Sequence, residues 1–335
     1  MRAVVQDRYG SADVLQVRDV DTPVVGDDEV LVRVRAASVH PDVWHVVSGR
    51  PYVLRLMGSG LRRPKNRVPG TDVAGQVEVV GRNVTRLRPG DEVFGETVTG
   101  YQWHNGGAFA EYVSVPQDSL ALKPANITLE QAAAVPTSGL IALHNLRQGR
   151  LQPGQRVLVN GAGGGVGAFA VQLATAQGAT VTGVDAARKL DMVRSLGAAH
   201  VIDFTQEDFT QAHQSYHLIF DVVGNHSFRE CRRALTPDGS YVLIGHDGFG
   251  DAAGRWLGSL PRVLGLVAMS PFMSQLPPID FSLPAKKDSM AVLTGHLEAG
   301  ELTPVIDRTF SLNEVAEALR YLQTGQALGK IIISI

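Results

Sequence analysis

Residues Arg156 to Gly167 set a short apolar run, Val157-Leu158-Val159, directly against a cluster of glycines. The cluster opens into Val166-Gly-Ala-Phe-Ala-Val-Gln-Leu-Ala174, where Val166, Phe169, Ala170 and Leu173 recur at helical spacing. The order is therefore buried strand, tight turn, helix. Glycine permits such a turn and lets backbone N–H groups approach a pyrophosphate at a helix N-terminus. Ala162-Gly163-Gly164-Gly165-Val166-Gly167 matches the dinucleotide fingerprint, with alanine in place of its first glycine. Gly163, Gly164, Gly165 and Val166 are the candidate phosphate contacts.

A glycine turn gains meaning from the elements C-terminal to it. The next apolar run, Thr180 to Val184, ends in Asp185, where a strand end sets a carboxylate against an adenosine ribose. The alternation continues with helix Leu190 to Leu196, strand His200 to Ile202, strand Leu218 to Val223 and helix Phe228 to Leu235. A strand Tyr241 to Ile244 comes last, entered through the turn Thr236-Pro-Asp-Gly239. This pattern predicts an α/β fold with a doubly wound parallel sheet. Methyltransferases share such a sheet, so the alternation constrains the fold more than the chemistry.

With 335 residues the chain exceeds the usual single-core size, so two domains are expected. A net charge of −2 with interspersed signs gives no footprint for nucleic acid or an anionic membrane. The single cysteine, Cys231, excludes an intrachain disulfide and a multi-cysteine zinc site, and reads as a packed small residue. No signal-peptide core or membrane span is visible, which leads us to expect a cytoplasmic protein. The apolar stretch Trp256 to Met273 reads as a buried wall or subunit contact.

The segment before the glycine turn has a different period. Val30, Val32 and Val34 alternate with Leu31, Arg33 and Arg35, and short strands follow at Ala74 to Val80, Glu92 to Phe94 and Phe109 to Val113. This predicts a barrel-like β unit. Near the end, helices Met290 to Ala299 and Asn313 to Leu322, the latter with Asn313 as N-cap, precede an apolar strand, Lys330 to Ser334. That strand needs a sheet, and the first β unit is its natural host. The expected domains are 1–124, 125–265 and a return to the first over 266–335.

These stretches resemble the medium-chain dehydrogenase/reductase superfamily, in its zinc-free quinone oxidoreductase and enone reductase-like branch. The matching segments are Val68 to Gly75, Arg88 to Gly95, Gly107 to Val113, Ala132 to Thr137, Gly161 to Gly167, Ser195 to Ala198 and Gly329-Lys330. The resemblance implies a Rossmann domain plus a GroES-like β-barrel catalytic domain, with a cofactor cleft between them. It also implies nicotinamide contacts at Thr137, Val223, Gly224, Gly245 and Lys330.

Zinc-dependent relatives carry two cysteines and a histidine. Here His40 falls near the first cysteine position, Thr71 takes the histidine position and no cysteine lies near Thr137. No metal is expected, and direct alcohol oxidation would then lack its usual Lewis acid. Reduction of a conjugated double bond asks for less: hydride at the β-carbon, hydrogen bonds to the enolate and a proton. For that chemistry the resemblance points to His40 and Tyr52 as the catalytic candidates. His40 is suited to bond a carbonyl or donate a proton, and reads equally as a satisfied cleft histidine. Tyr52 reads as an aromatic wall with a donor tip. Relatives usually carry asparagine at the His40 position and aspartate at that of Val43. Trp44 and Trp256 read as packing residues.

Cofactor choice is divided. The family habit is NADPH, and Arg188 and Lys189 fit a 2′-phosphate, whereas Asp185 favours the free ribose of NADH. Phe204 replaces a tyrosine that relatives often use there. Either NADP or NAD is expected. The predicted function is metal-free hydride transfer from NAD(P)H to an enone or quinone. The alternatives are a zinc-independent carbonyl reductase or alcohol dehydrogenase, and a cofactor-binding scaffold without turnover. The partner is a small-molecule substrate, with no nucleic acid or membrane, and the family habit is a homodimer. The loop Phe272 to Phe281 is expected to line the substrate pocket.

Overall fold

The structure, a computed structural model, describes residues 1–98, 104–211, 214–245, 254, 256–278 and 285–335. The far end of the expected pocket loop, including Phe281, lies outside them.

The chain opens with β1 (Arg2–Val5), paired antiparallel with β2 (Gln16–Asp19). The long β3 (Glu29–Val39) leads through His40 into α1 (Pro41–Ser48), with proline at the first helical position, where its missing N–H costs nothing. Then come β4 (Asp72–Val80), β5 (Glu92–Glu96), β6 (Tyr112–Pro116) and β7 (Leu120–Leu122). The strand expected from Phe109 starts three residues later, and Ala110 instead bridges to Ala3. A Thr128/Gln131 capping box starts α2 (Leu129–Ala133), and α3 (Pro136–Gln148) follows.

The alternating part then unfolds in order: β8 (Arg156–Asn160), α4 (Gly165–Ala176), β9 (Thr180–Asp185), α5 (Leu190–Ser195), β10 (His200–Asp203), β11 (Tyr216–Asp221), α6 (Phe228–Arg233) and β12 (Leu235–Leu243). These five strands form one parallel sheet in the order β10-β9-β8-β11-β12. That is the 3-2-1-4-5 winding of a dinucleotide-binding fold, whose ligands sit beyond the strand ends where the order reverses. The reversal falls between β8 and β11. Val157, Leu158, Val159, Leu218, Ile219 and Phe220 are fully buried, as strands covered on both faces require.

One turn is placed differently from the sequence reading. Tyr216 pairs with Leu235 and Leu218 with Ser240, so Thr236–Gly239 bulges out of β12 instead of preceding it. The strand resumes on the far side because Tyr241, Val242 and Leu243 continue its register.

After α7 (Leu260–Met269) come α8 (Lys286–Glu298), β13 (Ile306–Ser311), α9 (Val315–Gln323) and β14 (Lys330–Ser334). Ile331 to Ser334 pair antiparallel with Val39 to Ala36, so the last strand joins the first β unit. That sheet runs β13-β14-β3-β4-β5-β7, with β6 also on β3. Asn313 does not cap α9, whose N-cap position is Glu314; a Ser311/Glu314 capping box opens the 3-10 turn Leu312–Glu314 that leads into it. Asn313 instead accepts a hydrogen bond from Arg2 Nη2 at 2.6 Å. Contacts divide the chain into Met1–Leu140, Leu283–Gly300 and Pro304–Ile335 as one unit, and Ile141–Ser282 with Glu301–Thr303 as the other. The boundaries read from the sequence lie at 124 and 265. No helix among the described residues is long and apolar enough to cross a membrane.

Candidate dinucleotide and active site

In the second unit the glycine turn joins β8 to α4. Gly161 has φ +86°, and a Cβ there would meet Val223 at 2.8 Å, so only glycine suits this corner. A Cβ on Gly167 would lie 2.0 Å from the Gly161 carbonyl oxygen, which is how closely turn and helix approach. No side chain caps α4 at Gly164. An uncapped helix N-terminus in a glycine cradle fits a pyrophosphate. Gly163, Gly164, Gly165 and Val166 all lie on it.

Asp185, at the end of β9, is nearly buried and faces this turn. Its Oδ2 accepts the Gly163 N–H at 2.8 Å, and its Oδ1 accepts the Ala186 N–H at 2.9 Å. Lys189 Nζ stands 3.7 Å from Oδ1. Arg188 is exposed on the same turn. The Phe204 N–H donates to the Asp185 carbonyl at 3.3 Å, while its ring is 55% exposed. These residues, scattered in sequence, share one corner of the unit.

Beyond β11, the buried Asp221 carboxylate gathers the strand ends. It accepts Asn160 Nδ2, the Gly224 N–H and the Tyr241 hydroxyl, each at 2.8 Å. Arg262 donates to the carbonyls of Gly224 and His226. A Cβ on Gly224 would be 3.0 Å from the Gly245 oxygen, and one on Gly245 would strike the Val222 oxygen, so Val223, Gly224 and Gly245 form one tight corner. Burial, with Asp221 beside it, raises the Tyr241 pKa. Burial and Asp221 likewise push the Cys231 thiol up to about 12, which fits its reading as a packed residue.

In the first unit, Thr137 and Lys330 meet at a buried acid that sequence reasoning passed over, Asp72. The Thr137 N–H donates to Asp72 Oδ1 at 3.0 Å, and its hydroxyl lies 2.5 Å from that oxygen and 2.7 Å from Glu96 Oε1. Ser38 donates to Asp72 Oδ2 at 2.6 Å, and Lys330 Nζ lies 3.3 Å from it. Lys286 pairs with Glu96. The signal for Asp72 was present: an acid at the start of the apolar run Val73 to Val80 that supplies β4.

Residues 26–125 match the alcohol dehydrogenase GroES-like domain model, and residues 196–333 match the zinc-binding dehydrogenase model. The chain is 32% identical over 342 residues to a 2-methylene-furan-3-one reductase of Solanum lycopersicum, covering 99% of this chain and 79% of the relative. It is 32% identical over 343 residues, with the same coverage, to a chloroplastic NADPH-dependent alkenal/one oxidoreductase of Arabidopsis thaliana. The solved quinone oxidoreductase of Coxiella burnetii superposes with a TM-score of 0.82 at 27% identity, covering 100% of this chain and 99% of that one. The chain belongs to the medium-chain dehydrogenase/reductase superfamily, in its quinone oxidoreductase-like branch. It is an oxidoreductase of the quinone reductase type, and its cofactor is a nicotinamide dinucleotide.

Within that superfamily the zinc-ligand positions are informative. His40, with its side chain 7% exposed, caps α1, and its Nδ1 lies 3.0 Å from Asp42 Oδ2. Thr71 is buried, and Thr137 is engaged as described. Among the described residues no three His, Cys, Asp or Glu side chains group as a metal would need. Tyr52, in the segment after α1, is half-buried with its ring centre 4.6 Å from the Arg55 guanidinium carbon. Trp44 packs edge-on against His45, and Trp256 is 73% exposed.

Proposed function

We propose that this enzyme transfers hydride from NAD(P)H to the β-carbon of an enone, or to a quinone, without a metal. The observation that carries the reading is the state of the zinc-ligand positions. Thr71 takes the histidine position, Thr137 is bonded to Asp72 and Glu96, and among the described residues no three His, Cys, Asp or Glu side chains group as a Lewis acid would need. An acceptor whose double bond is conjugated to a carbonyl needs only hydrogen bonds to its developing oxyanion and a proton. His40 is the group of the first unit suited to both.

From the second unit, the amides around Gly163 to Val166 would hold the pyrophosphate, and the Asp221-anchored loop at Val223 and Gly224 would face the nicotinamide. The bound cofactor supplies a hydride. NADPH is the favoured form: two backbone amides and Lys189 engage the Asp185 charge that would repel a 2′-phosphate, and Arg188 stands exposed beside it. The Arabidopsis relative is named for NADPH.

The test compares 2-cyclohexenone with cyclohexanone, using NADPH and NADH. Oxidation of NADPH with the enone and none with the saturated ketone is the expected result. Turnover with the saturated ketone alone would replace this reading with a carbonyl reductase, and nucleotide binding without turnover would leave a scaffold.

A further inference from the structure

His40 ends the extended run of β3 with φ −121° and ψ 153° and caps α1, where its Nδ1 accepts the Asp42 N–H at 3.3 Å. The same Nδ1 lies 3.0 Å from the Asp42 carboxylate. These two contacts demand opposite things of one atom: the amide needs a lone pair there, the carboxylate needs a proton. The carboxylate is the closer partner, and its bond is charge-assisted. A proton on Nδ1 then leaves Nε2 as the ring's working edge.

That edge is buried and has no hydrogen-bond partner among the described residues. Buried polar atoms in folded proteins are nearly always satisfied, so an orphan of this kind marks the place of a ligand or water. A second orphan stands just ahead of the neighbouring strand, β4. Ser38 pairs with Asp72, and the residue before Asp72 is Thr71, whose buried Oγ1 also lacks a partner among the described residues. Two unsatisfied polar atoms therefore flank the end of one strand pair.

We propose that Asp42 is the positioning residue for the proton donor of this reaction, its carboxylate orienting the His40 ring so that Nε2–H serves the acceptor. This rests on the enone reading above. Reduced nicotinamide dinucleotide is the reductant and is oxidised by two electrons. The acceptor gains hydride at its β-carbon, and its double-bond pair becomes the enolate. The Nε2–H bond breaks, the proton joins the α-carbon, and the N–H pair remains on Nε2. The ring keeps its Nδ1 proton against Asp42, and a proton from water restores the Nε2–H.

The experiment uses the full chain with 2-cyclohexenone and NADPH, in wild type, Asp42→Asn, Asp42→Glu and His40→Gln. Asp42→Asn is expected to lower kcat roughly 10²-fold while the KM for NADPH stays put, and Asp42→Glu to restore part of the loss. Nitrogen NMR of the His40 ring should show the Nδ1 proton in wild type and its departure in Asp42→Asn. An Asp42→Asn enzyme with wild-type kcat, or a His40 ring signature unchanged by the substitution, overturns the proposal. Should wild type fail on enones, the enone reading fails by itself, and the ring signature still decides whether Asp42 sets the protonation of His40.

Discussion

The Asp185 carboxylate accepts the backbone N–H of Gly163 at 2.8 Å, which ties the end of β9 to the glycine turn after β8. An acid at this point reads from sequence as a ribose ligand; in the structure its carboxylate bonds the amide of the glycine turn. Asp185→Ala should therefore weaken both nucleotides alike. Hydrogen bonds to charged groups contribute about 1.5–3 kcal/mol, so a tenfold or greater rise in KM is expected for NADH and for NADPH. A rise confined to NADH would assign the carboxylate to the ribose instead.

Gly167→Ala tests the closeness of turn and helix. Its Cβ would fall 2.0 Å from the Gly161 oxygen and 2.8 Å from the Ala162 Cα, both backbone atoms that cannot rotate away. Overpacking of this kind costs roughly 1–3 kcal/mol. Calorimetry should find nucleotide affinity reduced at least tenfold.

Lys330→Met should be among the most damaging single changes in the first unit. It strips the cation from Asp72, which is fully buried. Removing one partner of a buried ion pair costs about 3–5 kcal/mol, because the other charge is stranded. Denaturant unfolding of Lys330→Met checks this. A loss below about 1 kcal/mol would mean that Ser38 and Thr137 alone satisfy the carboxylate.

Cys231 gives a pH prediction. Its folded pKa is near 12 against an ordinary value of 9.0, so between those limits the native state keeps a proton that the unfolded chain has released. Stability then falls as pH rises, by up to about 1.4 kcal/mol per unit for this group. Tyr241, raised in the same direction, adds a second loss above its ordinary value of 10.0. Cys231→Ala should flatten the decline between pH 9 and pH 10 and remove the thiol's share of the loss above it, leaving that of Tyr241. An unchanged slope would mean that the thiol titrates normally.

Much of the site was legible because it is local. The glycine turn follows from one corner with φ +86° and one close approach, both properties of adjacent residues. The return of Lys330–Ser334 to the first sheet follows from an apolar strand with no neighbour of its own in sequence. Local reasoning missed β13, whose Asp307, Arg308 and Thr309 hide a strand that forms only by pairing with β14. It misjudged where the helix starts because Asn313 and Ser311 are both good caps, and the chain's path makes Ser311 the cap of a 3-10 turn ahead of α9.

The order of strands and helices, the nucleotide turn and the host of the last strand were set by the sequence itself, since periodicity and backbone freedom act over a few residues. What Asp185, Thr137, Lys330 and His40 hold was decided by the tertiary structure. A buried charge takes its partner from whatever the fold brings beside it, and Lys330 reaches Asp72 across 258 positions of chain. No pattern in a window of sequence encodes that distance.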